Sequence, residues 1–308
     1  MARQGVLVIG SMNFDYFYTL PHQMRLGENL HATSFETACG GKGANQAVQC
    51  AKLEVQTRML GCLGRDAQGD RIFSEMTAYG VDMQLVRRVD VPTGNASVWV
   101  FPKGLVQAAI FGGANMCVTK DQIDEINSLL LETEAVILQN EIPMDVVSHA
   151  ILAAKTAGCK VLYNAAPALP VSPEVLAAVD VLLVNEAEAS FYSGVTITDE
   201  ASARDGADKL LPLLRSTLII TLGSLGSLIA GPEGKHLVPA KRVAAVETTG
   251  AGDSFTGALA DGLLRGLSIE KAAAFATAAA AVTVSKVGAQ PAMPTRRMLL
   301  DESSNCMV

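Results

Sequence analysis

Short apolar runs alternate with helix-type patterns along most of this 308-residue chain, and this alternation constrains its fold most strongly. The runs typical of buried strands are Val6–Ile9, Thr57–Leu60, Ala135–Gln139, Lys160–Tyr163, Val179–Val184 and Leu218–Thr221. The helical patterns lie at residues 44–52, 67–79, 119–131, 143–157, 186–192 and 199–214. Such alternation predicts a three-layer α/β sandwich, in which helices cover both faces of a central, mostly parallel sheet. Ligands of such sheets bind beyond the carboxyl ends of the strands.

Residues 12–39 and 93–111 break this alternation. Their short β-type runs are Phe14–Thr19, His31–Thr37, Asn95–Phe101 and Val106–Phe111. Because no helical pattern separates these runs, they predict a small antiparallel sheet that stands off the main one, and we interpret it as a lid. The alternative is that they form edge strands of the main sheet. No Pro- or Ser-rich linker divides the chain, so we expect a single domain over residues 1–308 with the lid inserted in it.

Composition argues against several classes of partner. The net charge is 24 − 31 = −7, without the basic surface that nucleic-acid binding requires. No apolar run approaches the roughly 18 residues of a membrane-spanning helix. The scattered cysteines form no CxxC pair and the histidines no metal-binding spacing, which is typical of free thiols in a reducing compartment. The first residues, MARQGVLVIG, indicate a strand and not a signal peptide, so we expect a cytoplasmic protein.

The motif TTGAGDSF at residues 248–255 precedes a helical pattern at Ser254–Leu264 and follows a strand-type run at Arg242–Val246. The first amides of a helix have no intrahelical acceptor, and glycines let that backbone approach an anion closely. Gly250 and Gly252 therefore predict a phosphate site. A carboxylate beside it, Asp253, is suited to take a hydroxyl proton as that oxygen attacks phosphorus. The alternative is an ordinary acidic N-cap at Asp253.

Two glycine-containing or polar stretches lie near the N-terminus. GGKGANQ at residues 40–46 precedes a helix and offers Lys42 to phosphate and Asn45 to hydroxyl groups. A glycine-rich helix entry with a solvated lysine would look the same. Asn13 and Asp15 alternate with apolar residues, so both would face one side of an extended strand and could read sugar hydroxyls. A simple turn at this NxD sequence is the alternative.

Three further motifs follow predicted strands. Asn140–Pro143 and Asn185–Glu188 place amides and carboxylates at strand ends, although each is also compatible with a plain helix cap. The glycine turn Thr221–Gly226 is suited to line a nucleotide cleft, or else it opens a hairpin into Ser227–Ala230. The GxxxxGK[ST], GxGxxG, HRD and DFG motifs of other phosphate-binding folds do not occur at the expected places.

Taken together, these motifs resemble the ribokinase-like carbohydrate kinase family along essentially the whole chain, from GSMNFD to KVGAQPAMP. GGKGANQ, NAAP at residues 164–167, NEAE, TLGSLG and TTGAGDSF follow one another in the family's order. GGKGANQ and GAQP are more similar to the ribokinase branch than to the branches that act on fructose, adenosine or ribonucleosides. The resemblance implies phosphoryl transfer from MgATP to the 5-hydroxyl of ribose. Another sugar or nucleoside as acceptor, or a non-catalytic sugar sensor, remains the alternative.

The resemblance also implies residue roles. Asp253 would be the general base, and the amides of Gly250, Ala251 and Gly252 would stabilise charge on the transferring group. The residues implied to hold the sugar are Asn13, Asp15, Gly41, Lys42, Asn45, Ala96, Ile110, Glu141 and Asp253. Those implied on the nucleotide side are Asn185, Glu188, Thr221, Gly223, Ser224, Gly226, Gly252 and Thr277, with Asn185 and Glu188 near magnesium. At Thr277 the family frequently has Asn or His, so adenine contacts are expected to differ.

A monovalent cation, potassium, is implied beside the anion site. The matching positions are Glu247, Thr249, Thr283, Lys286, Gly288 and Ala292. Glu247 stands where the family commonly has Asp, and Ala292 where it has a hydroxyl side chain. The family finally implies a homodimer that pairs through the lid.

Overall fold

The computed structural model describes residues 3–102, 105–214 and 216–305. Its strands are β1 (Gln4–Ile9), β2 (Asn13–Thr19), β3 (Ser34–Gly40), β4 (Thr57–Gly64), β5 (Asp82–Val89), β6 (Gly94–Val100), β7 (Val106–Phe111), β8 (Thr133–Leu138), β9 (Lys160–Asn164), β10 (Val181–Asn185), β11 (Thr217–Thr221), β12 (Gly226–Gly231) and β13 (Gly234–Pro239). Its α-helices are α1 (Lys42–Lys52), α2 (Ala67–Ala78), α3 (Lys120–Asp124), α4 (Asn127–Glu132), α5 (Met144–Thr156), α6 (Pro173–Ala178), α7 (Glu186–Ser193), α8 (Glu200–Leu210), α9 (Ala251–Leu264), α10 (Ile269–Val284) and α11 (Arg296–Asn305).

The main sheet has the strand order β13-β12-β11-β10-β9-β8-β1-β4-β5 within the described residues. Its strands pair in parallel from β5 to β11, and β12 and β13 add an antiparallel edge. Successive side chains of a strand point to opposite faces of a sheet. On β1, Leu7 and Ile9 accordingly belong to one apolar cluster, and Val6 and Val8 belong to another.

Helices cover both faces of this sheet. The cluster around Leu7 includes Val147 of α5 and Ala203 of α8, and the cluster around Val8 includes Val48 of α1 and Leu259 of α9. Helix α10 packs closely on α9 because its buried positions are mostly alanines, which bring the two backbones together. The predicted three-layer α/β sandwich is therefore confirmed. None of the helices in the described ranges is long and apolar enough to cross a membrane.

Strands β2, β3, β6 and β7 form a second, separate sheet in the order β3-β2-β6-β7. They are therefore not edge strands of the main sheet. The β2–β3 and β6–β7 pairs are antiparallel as predicted, but β2 and β6 pair in parallel, so the small sheet is mixed. The parallel pair arises because the chain returns to the main sheet for α1, β4, α2 and β5 before it re-enters the small one.

Several elements differ between the sequence prediction and the structure. The helix predicted at 119–131 is interrupted between α3 and α4. The strand predicted at Arg242–Val246 is wrong, because these exposed residues pair with no strand within the described part of the chain. The Val246 amide donates to the Val284 carbonyl at 2.7 Å. The strand β5 was missed, because it lies at the sheet edge and carries charged side chains among its apolar ones.

Candidate active site

An open cleft of about 260 Å³ lies at the carboxyl ends of β9, β10 and β11 and at the N-termini of α1 and α9. The residues that line it are Lys42, Asn164, Ala166, Leu183, Val184, Asn185, Glu188, Thr221, Thr248, Gly250, Ala251, Gly252, Asp253, Phe255 and Thr256. This is the edge at which parallel α/β sheets bind their ligands. Both predicted phosphate motifs, GGKGANQ and TTGAGDSF, thus contribute to one cleft.

Helix α9 begins with a glycine that no residue with a side chain can replace without strain. Gly250 is the N-cap with φ 77°, and a Cβ there would lie 2.9 Å from the Cβ of Ala289. The first intrahelical bond runs from the Ser254 amide to the Gly250 carbonyl at 2.8 Å, so the amides of Gly252 and Asp253 have no intrahelical acceptor. The Ala251 amide donates to the Thr248 carbonyl at 3.2 Å, which makes it the least available of the amides predicted for anion binding.

Asp253 lies in the first turn of α9 and is buried. Its side chain forms no helix cap, so the alternative of an acidic N-cap is wrong. Instead its Oδ2 accepts a hydrogen bond from Asn45 Nδ2 and its Oδ1 one from Gln46 Nε2, both at 2.9 Å. Burial raises the pKa of this carboxyl group, and Lys42 and the two amides oppose that rise without cancelling it.

Lys42 and Glu141 meet at the start of α1. The Lys42 amide donates to Glu141 Oε2 at 3.1 Å, and the Ser11 hydroxyl donates to the same oxygen. Burial lowers the pKa of Lys42, but Asp253, Glu141 and Glu188 outweigh it, so that its pKa is raised and the ammonium form is favoured. Helix α5 has Pro143 as its N-cap, so the cap alternative for Asn140 and Glu141 is wrong.

Gly41 is the N-cap of α1 and packs closely against the start of β2. It has φ 89°, and a Cβ there would lie 2.8 Å from the amide nitrogen of Asn13. Asn13 opens β2 and its Oδ1 accepts a hydrogen bond from Asn115 Nδ2 at 2.7 Å. Because Asn13 and Asp15 belong to a strand, the turn alternative is wrong.

Asp15 is the second strongly perturbed carboxyl group of the site. Burial, and then the neighbouring Glu141, raise its pKa to about 7, while a hydrogen bond from the Ala96 backbone opposes the rise. Its Oδ1 is buried and has no hydrogen-bond partner among the described residues. A Cβ on Gly40 would collide with Asp15 Oδ2, so the glycine leaves room for the carboxylate.

The small sheet aligns three of the predicted sugar residues in one row. Asp15 pairs with Ala96 across β2 and β6, and Ala96 pairs with Ile110 across β6 and β7. Ala96 is buried, whereas the Ile110 side chain is exposed. The row therefore extends from the buried carboxylate to an apolar side chain that is exposed among the described residues.

On the other side of the cleft, Asn185 and Glu188 form a capping box for α7. The Glu188 amide donates to Asn185 Oδ1 and the Asn185 amide to Glu188 Oε2, both at 2.9 Å. The helix-cap alternative is thus confirmed for this pair, although both residues also line the cleft. Burial raises the pKa of Glu188 above its usual range.

The turn after β11 meets the cleft at Thr221 and leads into β12. Thr221 lines the cleft, Gly223 and Ser224 form an exposed 3₁₀ turn, and Gly226 opens β12 with φ 111°. Strands β11 and β12 are antiparallel, so the predicted hairpin is confirmed. Thr277 is buried in α10, and its hydroxyl has no partner among the described residues.

The segments that carry the six predicted cation residues pack against each other. Glu247 Oε2 accepts a hydrogen bond from the Gly288 amide at 2.8 Å, and the Val284 carbonyl accepts the Glu247 amide at 3.2 Å. The Thr283 hydroxyl is occupied by contacts with Ser254 and Ala279. Thr249 precedes the N-cap of α9, the exposed Lys286 donates its amide to the Thr283 carbonyl, and Ala292 is buried. The oxygen atoms left to coordinate a cation are those of one carboxylate and of backbone carbonyls. These are hard ligands suited to a cation such as potassium.

Several residues of the site were not predicted. Gln46, Ser11, Asn115 and Asn164 all bond to a predicted residue or line the cleft. Gln46 and Ser11 lie inside quoted motifs, so their sequence position could have drawn attention to them. Nothing in the sequence pattern distinguishes Asn115. It reaches the site because the turn after β7 packs against β4 and β6, where its side chain bonds to Met12 and Asn13.

Comparison with known proteins decides the family. Residues 3–296 match the model of the pfkB family carbohydrate kinases. The chain belongs to this family.

Among curated pfkB relatives, the chain is 33% identical to a ribokinase from Haemophilus influenzae, over 97% of this chain and 98% of the relative. It is 32% identical to a deoxyribokinase from Salmonella typhimurium, over 94% and 95% of the two chains. Among solved structures it superposes on a ribokinase from Arabidopsis thaliana complexed with ribose and ATP, with a TM-score of 0.91, 33% identity and 98% of each chain covered. This pfkB chain is thus a carbohydrate kinase that is similar to ribokinases and to a deoxyribokinase.

Proposed function

We propose that this carbohydrate kinase transfers the terminal phosphoryl group of ATP to the 5-hydroxyl of D-ribose. The observation that carries the proposal is the buried Asp253 carboxylate, which lies in the first turn of α9 between the cleft and the polar groups of α1. It thus adjoins both a helix N-terminus that suits phosphate and the residues that suit a polyol. The ribokinases among the relatives, one of them solved with ribose and ATP, support this acceptor.

In the proposed reaction the ribose oxygen forms a bond to the terminal phosphorus as the bond from that phosphorus to the bridging oxygen of ADP breaks. The hydroxyl proton moves to an oxygen of Asp253, whose raised pKa makes it a better acceptor than an exposed carboxylate. The amides at the start of α9 and the Lys42 ammonium stabilise the negative charge on the transferring group. Asp253 is regenerated when it releases this proton to solvent after the products leave.

The sugar would lie between the small sheet and α1. Asn13, Asp15 and Glu141 would accept hydrogen bonds from the sugar hydroxyls. Asn45 donates to Asp253 and would also face the sugar. Asp15 Oδ1, buried without a partner among the described residues, is suited to accept a hydrogen bond from a sugar hydroxyl. Gly41 and Ala96 leave space for the ring, and Ile110 would cover it.

The nucleotide would occupy the opposite half of the cleft, along Asn185, Thr221, the turn to Gly226 and Thr277. In the described residues no cluster of three or more acidic, histidine or cysteine side chains could hold a metal, so magnesium would be held by Glu188 and Asn185 through water and by the phosphates themselves. When bound, magnesium neutralises phosphate charge. The potassium proposed beside Glu247 would hold the loop that precedes α9 in place.

We further propose that the small sheet closes over ribose as a lid and that two copies of the chain pair through it. Its outer strand β7 exposes Val106, Ile110 and Phe111, and β3 exposes Phe35. Burial of these exposed apolar side chains against the same sheet of a second copy would be favourable. Analytical ultracentrifugation would test the pairing: a dimer that Ile110→Glu converts to a monomer is expected, and a wild-type monomer at every concentration contradicts it.

An acceptor panel tests the function. Ribose, deoxyribose, fructose, adenosine and uridine are each offered with MgATP, with and without potassium, and ADP formation is measured. We expect the highest kcat/KM with ribose, raised by potassium. The deoxyribokinase among the relatives makes deoxyribose the informative competitor. Fast turnover of a nucleoside and none of ribose would overturn the proposal, and binding of ribose without any turnover would favour the sugar-sensor alternative.

A further inference from the structure

We propose that Gln46 is a positioning residue that holds the Asp253 carboxylate in its reactive orientation and keeps it ionised before substrate arrives. The proposal rests on the proposed role of Asp253 as the general base. Gln46 is fully buried in α1, and its Nε2 donates to Asp253 Oδ1 at 2.9 Å. It has no assigned part in binding sugar or nucleotide.

Neighbouring amides fix the orientation of the Gln46 side chain. Gln139 Nε2 donates to Gln46 Oε1 at 2.7 Å, so the oxygen of Gln46 faces Gln139 and its nitrogen faces Asp253. The second hydrogen of Gln46 Nε2 is directed to Asn164 Oδ1 at 3.0 Å, and Asn164 Nδ2 in turn donates to the Leu183 carbonyl at 3.3 Å. A flipped Gln46 amide would place its oxygen against two acceptors, so the surroundings exclude it.

A similar arrangement holds the other oxygen of the base. Asn45 Nδ2 donates to Asp253 Oδ2, and Asn45 Oδ1 accepts from Gln290 Nε2 at 3.0 Å. Both carboxylate oxygens are therefore held by amides that are themselves held, which prevents rotation of the carboxylate about its Cβ–Cγ bond. Such fixed donors contribute to preorganisation of the base.

The charge balance around Asp253 indicates what the amides do chemically. The ionisable groups that face it are Lys42 from α1, Glu141 from the segment after β8 and Glu188 from α7. One cation thus faces two acids, and burial also favours the protonated form of Asp253. The hydrogen bonds from Asn45 and Gln46 favour the ionised form, which is the form that can accept a proton. Loss of the Gln46 donor should therefore raise the pKa of the base.

The test compares Gln46→Met with Gln49→Met. Methionine has nearly the shape of glutamine but does not donate. Gln49 is an equally buried glutamine of α1 that contacts Ser254 and the Pro294 carbonyl and makes no bond to Asp253. Single-turnover rates at saturating ribose and ATP are measured across pH. We expect Gln46→Met to move the acidic limb of the profile to higher pH by about one unit and to slow the plateau by roughly tenfold, the scale of a hydrogen bond to a charged group.

Gln49→Met is expected to lower the melting temperature to a similar extent but to leave the acidic limb in place. Gln139→Met, which removes only the amide that orients Gln46, should show a smaller shift of the same sign, and it provides the readout if Gln46→Met does not fold. An acidic limb that is unmoved in both Gln46→Met and Gln139→Met overturns the inference. If Asp253→Asn turns over ribose at a normal rate, the proposed base is wrong instead, so the two failures are distinguishable.

Discussion

Replacement of Asp253 by asparagine is the most direct perturbation of the proposed chemistry. The substitution preserves side-chain shape but removes the group that takes the hydroxyl proton. Loss of general-base catalysis costs about 10²- to 10⁴-fold in rate. At about 1.36 kcal/mol for each factor of ten, this is roughly 2.7 to 5.5 kcal/mol of transition-state stabilisation.

The structure adds a second consequence. Asn45 and Gln46 each donate to one oxygen of Asp253 at 2.9 Å, so either orientation of the new amide places its NH₂ against a donor. An unsatisfied buried donor costs about 1 to 3 kcal/mol. The same substitution removes a buried charge whose pKa burial has raised, which is favourable. We therefore expect a small net change in stability beside a large loss of rate.

The assay measures three quantities on the same preparation. Single-turnover formation of ribose phosphate should fall by at least ~10²-fold. Calorimetric titration should show ribose and ATP affinities that are largely intact, and the melting temperature should change by a few degrees at most. Asp253→Ala is the matched control, because it removes the base without introducing an NH₂ group, and it should be similarly slow. A rate for Asp253→Asn within a few-fold of wild type would refute the reasoning.

Three further predictions concern the rest of the site. Asp15, whose pKa is raised to about 7, is protonated below that value and loses an acceptor, so the dissociation constant for ribose should fall as pH rises through about 7 and level off above it. Gly252→Ala should leave stability unchanged or raise it by up to about 1 kcal/mol, because the added Cβ meets no atom within 4 Å. It should nevertheless slow turnover by about tenfold or more, because the methyl group lies where the helix amides meet phosphate. Finally, ribose should increase hydrogen-exchange protection of β2, β3, β6 and β7.

Each of these has a control within the chain. Asp15→Asn should abolish the pH dependence of ribose binding, and a dependence that persists would assign it to another group. Gly262→Ala, in the same helix as Gly252, places a Cβ 2.9 Å from the Cβ of Ala272 and should reduce stability with little direct effect on the cleft. A Gly252→Ala variant with full activity would contradict the phosphate position. Unchanged exchange in the small sheet, with ribose bound, would count against a lid that moves.

The sequence alone determined the layers of the fold. Local patterns were sufficient because a buried parallel strand must be apolar and a covering helix must be amphipathic, whatever their partners. The same locality explains the errors: β5 carries the charges of an edge strand, and Arg242–Val246 has a strand composition but no neighbouring strand to pair with. The positions of the motifs at strand ends and helix starts could likewise be predicted from neighbouring residues in the sequence.

Only the tertiary structure decided how these motifs act on one another. Asp253 looks like a helix cap in sequence, yet its oxygens bond to residues of α1 that lie more than two hundred positions away. The pKa of Asp15 depends on its burial and on Glu141, which lies in the segment after β8 of the main sheet. The proposed positioning role of Gln46 depends on Gln139, whose hydrogen bond fixes the orientation of the Gln46 amide. Hydrogen bonds, charge–charge interactions and burial act between groups brought close in space, and long-range contacts of this kind leave no periodic pattern in the chain.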